Sequence, residues 1–190
     1  HGRPREQHFH ECRKRADAFI AALEQREAGR FREALLALIG LGEGLTPSGD
    51  DFLVGAMAAA WWLKGSPTGS FLLEEARRMI ESPLERPPFP SSRYIRRAFP
   101  EGSAIARIPM KLWAKTTLIS SHFLTAAAEG IFCEFVYRFL ESLSARDERR
   151  TAAWIDWIRS WGATSGAWLL DGFAATAAAL AGLGGKPERE

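Results

Sequence analysis

Two segments lie 117 positions apart in this 190-residue chain and share one design. "PSGDDFLVGAMAAA" and "TSGAWLLDGFAATA" match at Ser48/Ser165, Gly49/Gly166, Leu53/Leu170 and Gly55/Gly172. Each starts in a small-residue loop, passes through Ser-Gly, and runs into an Ala-rich stretch that is apolar almost all round. A helix of that kind has no polar face for solvent, so it is expected to be buried. Its Gly and Ala leave little side-chain bulk, so another backbone is expected to approach it closely. The two segments read as one local device used twice, and the fold has to be built around them.

The rest of the chain is helical in pattern. Phe9, Cys12, Ala16, Phe19, Ile20 and Leu23 recur at three-to-four spacing, predicting a helix over Arg5–Ala28 that Gly29 ends. Phe31, Leu35, Leu38 and Ile39 mark a short second helix closed by Gly40. "KGSPTGS" reads as a linker, followed by a helix from about Phe71 to Ile80. Residues 82–109 carry six prolines and read as an irregular insertion or lid. A helical stretch over Lys111–Leu143, with a break at Gly130, precedes "TAAWIDWIRSW" and the last Ala-rich segment. No strand-like alternation stands out. The expected fold class is all-α: a single compact helical domain over 1–190, with two buried Gly/Ala-rich helices each preceded by a small-residue loop. The chain does not begin with Met, which leaves room for a trimmed N-terminal region.

Composition narrows the function classes. With 25 Lys and Arg against 23 Asp and Glu, bulk charge favours neither nucleic acid nor a membrane surface. Cys12 and Cys133 have neither zinc-ligand nor disulfide-framework spacing. The apolar runs stop short of a membrane span and no signal peptide is evident, so a cytoplasmic location is expected.

"GLGEGLTPSGDD", residues 40–51, carries the chemistry. It is neither a Walker A loop nor a dinucleotide fingerprint, because no Gly-Lys-Ser/Thr follows and a helix, not a strand, precedes it. Helix N-termini present free N–H groups and a partial positive charge, and glycine lets a ligand come close. Gly44, Thr46, Ser48 and Gly49 in this loop, and Thr164, Ser165 and Gly166 in its second copy, are therefore candidate ligand-binding residues. Asp50 and Asp51 are the candidate catalytic pair and the candidate ligands of a Mg²⁺. They point about 100° apart on a helix, so one can orient the loop while the other faces a pocket. The competing structural reading makes Ser48 an N-cap with Asp51 at the third helical position. Downstream, Thr116 and Ser120 share a helix face, Lys115 offers charge pairing as do Lys111 and Arg107, and Glu134 is the expected pocket acid. Trp154, Trp157 and Trp161 form a stripe expected in the core or at a subunit interface.

"GLGEGLTPSGDDFLVG" closely resembles the signature of the AllH/YlbF-like proteins, a family linked to bacterial purine and allantoin catabolism. "TTLISSHFLTAAAEGIFCE" and "GATSGAWLLDG" resemble further parts of it, in the same order, from about Ile39 to Gly172. One branch is associated with oxamate carbamoyltransferase, which converts oxalurate and phosphate to oxamate and carbamoyl phosphate. The resemblance implies one component of a multi-subunit system, as homo-oligomer or with partner subunits, binding a small anionic ligand. The chain departs from the pattern in its last motif, where Ala163 stands for a His and Trp168 for an Asp. The expected function is thus a small-anion, carboxylate or acyl-phosphate binding component of carbamoyltransferase type. The rival is a non-catalytic scaffold or binding subunit, which predicts both carboxylates consumed in capping and pairing. A metal-dependent hydrolase centred on Asp50 and Asp51 lacks a His set.

Overall fold

The computed structural model describes residues 4–63, 65–81 and 115–182. Among these residues, eight helices run in the order α1 Pro4–Gln25, α2 Ala28–Leu38, α3 Ser48–Trp62, α4 Pro67–Glu81, α5 Leu118–Ala128, α6 Glu134–Ser144, α7 Glu148–Arg159 and α8 Ser165–Leu180. The described residues contain no strand, and the chain is all-α.

The two Ala-rich segments are α3 and α8, and they pack on each other at the centre of the molecule. A methyl added at Gly55 would sit 1.9 Å from the Leu169 carbonyl oxygen, and one at Gly172 would sit 2.0 Å from that of Phe52. The contact is reciprocal, since Phe52 and Leu169 are themselves 117 apart. No side chain fits at either position, so glycine is what allows the backbones to cross this closely. The helix-start glycines repeat the arrangement. Gly49 abuts the Leu38 carbonyl at the end of α2, and Gly166 abuts the Ile158 carbonyl near the end of α7.

The duplication extends beyond the matched residues. α1–α2 and α6–α7 are both helical hairpins that precede a glycine loop and a central helix. Both turn through a left-handed arginine, Arg26 at φ 52° and Arg146 at φ 55°. Both second helices start after an acidic residue, Glu27 or Asp147. The core has two lobes. Phe19, Phe31, Phe52, Leu23, Leu38 and Leu72 fill one, on the side of α1, α2 and α4. Val136, Phe139, Ile158, Leu169 and Phe173 fill the other, where α6 and α7 lie on α8. Burying each of these large side chains contributes about 1.5–3 kcal/mol.

Local boundaries differ from the sequence reading in two places. Gly29 lies inside α2, and Arg26 makes the reversal after Gln25 instead. α4 begins at Pro67, within the expected linker, because proline is tolerated at the first helical position. The expected break at Gly130 is present: Gly130 takes φ 77° and separates α5 from α6. The insertion at 82–109, with Arg107, and Lys111 lie outside the described residues. Among the described residues, no helix is long and apolar enough to cross a membrane.

Candidate functional site

The glycine loop brings α3, α5 and α8 together at one end of the α3–α8 crossing. Ser48 is the first residue of α3 and Pro47 occupies the cap position without a side-chain hydrogen bond. The capping box of the competing structural reading is therefore not formed. Asp50 turns inward instead. Its Oδ1 accepts from the Gly40 N–H at 2.8 Å, and its Oδ2 accepts from the hydroxyls of Ser120, at 2.7 Å, and Thr116. Asp50 is fully buried, and burial raises its pKa while the Ser120, Thr116 and Gly40 bonds oppose that rise. Gly40 sits at φ 75° with the Lys115 carbonyl where a β-carbon would stand, so this corner of the loop requires glycine. Thr117 completes the junction by capping α5 and donating its hydroxyl to the Leu45 carbonyl.

Asp51 takes the other direction. It is 6% exposed, and its Oδ2 has no hydrogen-bond partner among the described residues. The hydroxyls of Ser165 and Thr46 lie beside its carboxyl and are bonded to each other at 2.9 Å. Burial raises the Asp51 pKa to about 7; the Ser165 hydroxyl lowers it, the charge of Asp50 raises it, and the Thr46 hydroxyl lowers it. The contrast with Glu75 is instructive. That carboxylate is also buried, but Arg32 and Arg78 pair with it and hold its pKa below the usual value. Among the described residues, no such cation pairs with Asp51.

Asp51 heads a cavity of about 210 Å³ between α3, α5, α6 and α8. Val54, Phe123, Phe132, Val136, Trp161 and Leu169 make its walls, and His122 and Cys133 supply the remaining polar atoms. Among the described residues, no Lys or Arg lines it. The cavity is chiefly apolar, and of the acidic pair Asp51 lines it while Asp50 does not. The α5–α6 turn that supplies Ile131, Phe132 and Cys133 escaped the sequence reading, because apolar residues around Gly130 look the same whether they line a cavity or a core. His122, Phe123 and Ala126 share one face of α5, a spacing that could have pointed to it.

The other candidates fall in distinct places. Thr116 and Ser120 serve Asp50 and do not line the cavity. Lys115 is exposed, with its backbone carbonyl against Gly40. Gly44 is exposed at the loop tip, at φ 94°. Ser48 packs its side chain against Gly42. Thr164 precedes α8 without a side-chain cap bond. Glu134 is not in the Asp51 cavity: its side chain is 81% exposed and pairs with Arg138, because it starts α6 on the solvent side. It borders a separate open groove with Trp154 and Trp157. In the tryptophan stripe, Trp161 and Trp157 both pack on Phe135.

Several of the backbone donors at the two helix starts are occupied. Gly49 N–H bonds the Leu41 carbonyl, those of Asp50 and Asp51 bond Pro47, Gly166 bonds Trp161 and Trp168 bonds Thr164. An anion held on these N–H groups would have to displace carbonyls. Among the described residues, no three His, Cys, Asp or Glu side chains converge as a metal site, and both Asp50 oxygens are already acceptors for protein donors. Cys12 is buried, and burial pushes its thiol up to about 12, so it is no nucleophile.

A family model described as oxamate carbamoyltransferase subunit AllH matches residues 38–177, about three quarters of the chain. The matched span takes in the glycine loop, the cavity, α3 and all but the last three residues of α8. No solved structure matches the chain.

Proposed function

Because the chain belongs to the oxamate carbamoyltransferase subunit AllH family, we propose that it is a component of a carbamoyl-transferring complex and that Asp51 is its point of contact with the ligand. A single observation carries the second half. Asp51 is a buried carboxyl whose Oδ2 lacks a partner among the described residues and which heads a cavity. Leaving a buried polar atom unpaired costs about 1–3 kcal/mol, so such an atom at a cavity calls for a ligand group to satisfy it. Its pKa of about 7 would let it accept or release a proton near neutrality. Asp50, Thr116, Ser120 and Gly40 would act one step back, holding the loop so that Asp51 keeps its direction. Thr46 and Ser165 would orient the carboxyl from its other side.

The reading of the chain as a binding subunit without chemistry of its own also has an observation in its favour. Apart from Asp51, His122 and Cys133, the cavity is walled by apolar and aromatic side chains. One experiment separates the two. The complex purified with its partner subunits, wild type or Asp51→Asn, is assayed for carbamoyl phosphate formation from oxalurate and phosphate, and its assembly is followed by size exclusion. Loss of at least about 100-fold in turnover, with assembly unchanged, supports a chemical role. Equal turnover in both complexes would remove Asp51 from the reaction.

A further inference from the structure

We propose that the outer face of the α6–α7 hairpin binds a second copy of this chain, with Trp154 and Trp157 at the centre of a two-fold contact. Neither Asp51 nor the reaction enters into it. The duplicated architecture makes one hairpin a control for the other. Phe139 stands 120 positions after Phe19, as Val136 does after Ala16, Ile158 after Leu38 and Arg146 after Arg26. Trp161 stands 120 after Leu41, and the two make the same bonds. Each donates its N–H to the last buried residue of the helix before it, Ile158 or Leu38, and each carbonyl accepts from the helix-start glycine, Gly166 or Gly49. The second loop is three residues shorter, so the central helices that follow stand 117 apart. In this register Phe135, Trp154 and Trp157 occupy the positions of Arg15, Ala34 and Ala37. The first hairpin folds with an arginine and two alanines there, and the Arg15 guanidinium donates to the Ala37 carbonyl at 2.7 Å. A hairpin of this design therefore needs no aromatic rings at these places.

The rings are also costly where they stand. Trp157 is 48% exposed, with the Trp154 ring edge-on at 5.8 Å and the Phe135 ring at 5.2 Å. Together with Ala153 they line an open groove of about 530 Å³. Trp154 and Trp157 do not line the Asp51 cavity, so a ligand held there does not account for them. Clustered aromatic rings facing water mark a surface that another protein covers. Charge selects which protein. Glu134 and Arg138 edge the groove, and Arg138 and Arg150 both reach Glu141. Over 134–159 the hairpin carries five acids and five arginines, with no net charge. A strongly charged partner finds nothing to select on such a face. A two-fold copy brings the acids of one face to the bases of the other, and two hairpins packed this way make a four-helix bundle. The face is about 17 Å long and roughly 20 Å wide. That is below the roughly 800 Å² per partner of a standard interface, so a Kd in the micromolar range is expected.

The test is sedimentation equilibrium of the full chain from about one to a few hundred micromolar. The wild-type mass is expected to rise from one chain toward two across that range. Trp154→Ala combined with Trp157→Ala installs the residues that the first hairpin carries. It should weaken association at least about tenfold, with helical circular dichroism unchanged. Glu134→Arg and Arg138→Glu leave the rings in place and should each weaken association about threefold or more. An equimolar mixture of these two charge variants should associate more tightly than either alone, because each then meets its opposite. A wild type that stays monomeric would overturn the proposal, as would a dimer indifferent to the tryptophan pair or a mixture no tighter than its components. A monomeric wild type whose tryptophan variant also fails to join its partner subunits on size exclusion would assign the face to a different subunit, and the second-copy assignment would fall.

Discussion

Asp50 and Asp51 are chemically identical neighbours with opposite surroundings, and the 100° between consecutive helical residues is the cause. Asp50 meets three donors, whereas Asp51 meets two hydroxyls and an open cavity. The pH dependence of stability should report this. The folded-state pKa of Asp51 is raised from 3.8 to about 7, so the folded protein holds a proton that the unfolded chain releases. The stability from this group is full below pH 3.8, declines as pH rises and is lost above about 7. The whole swing is on the order of 4 kcal/mol. Asp50 is shifted in the same direction and adds to the decline. Urea denaturation of wild type and Asp51→Asn between a pH of about 4 and about 8 should show the variant gaining on the wild type as pH rises, by roughly 2–4 kcal/mol. A stability difference that stays flat across that range would show that Asp51 ionises normally. The pair is conspicuous in the sequence, since two acids in front of an apolar helix are out of place. Which acid faces the cavity is not legible there, because that depends on Gly40 and Ser120, 10 and 70 positions away from Asp50.

At the scale of elements, glycine decides where helices meet. Gly55 and Gly172 each face a carbonyl oxygen of the opposite helix with no room for a methyl. Relief by a rotamer change is not available, because the obstructing atom is backbone. Gly55→Ala and Gly172→Ala are each expected to destabilise by about 3 kcal/mol or more, against about 1 kcal/mol for Gly44→Ala, whose added methyl meets open space. Thermal melts of the three variants would check the order. This part of the fold was legible: Gly and Ala at fixed positions in two apolar segments imply close backbone approach, and their matched spacing implied a shared device. The hairpin turns were not. Arg26 and Arg146 take left-handed conformations without any turn signature, since the packing of the flanking helices overrides local preference.

At the scale of the molecule, two three-helix units, α1–α3 and α6–α8, meet through their last helices. The acid that heads the cavity belongs to the first unit. In the second copy Trp168 stands at the position equivalent to Asp51, and it is buried against Phe9 with Arg13 over its ring. The hairpins are local, while the crossing joins residues more than 100 positions apart. Leu169→Ala, at the crossing, is therefore expected to speed unfolding and leave the folding rate nearly unchanged, whereas Leu35→Ala, in the first hairpin, should slow folding. Stopped-flow chevrons of both variants decide it, and a slowed folding limb for Leu169→Ala would place the crossing in the transition state.

The reciprocal glycine contact also sets a clock. Gly172 leaves the ribosome 117 residues after Gly55. At about 5–20 residues per second, that is on the order of ten seconds during which the first Ala-rich helix has been made and its mate has not. For that interval α3 is an apolar rod with no groove to enter, and a newborn chain must shield it by other means until its second half arrives.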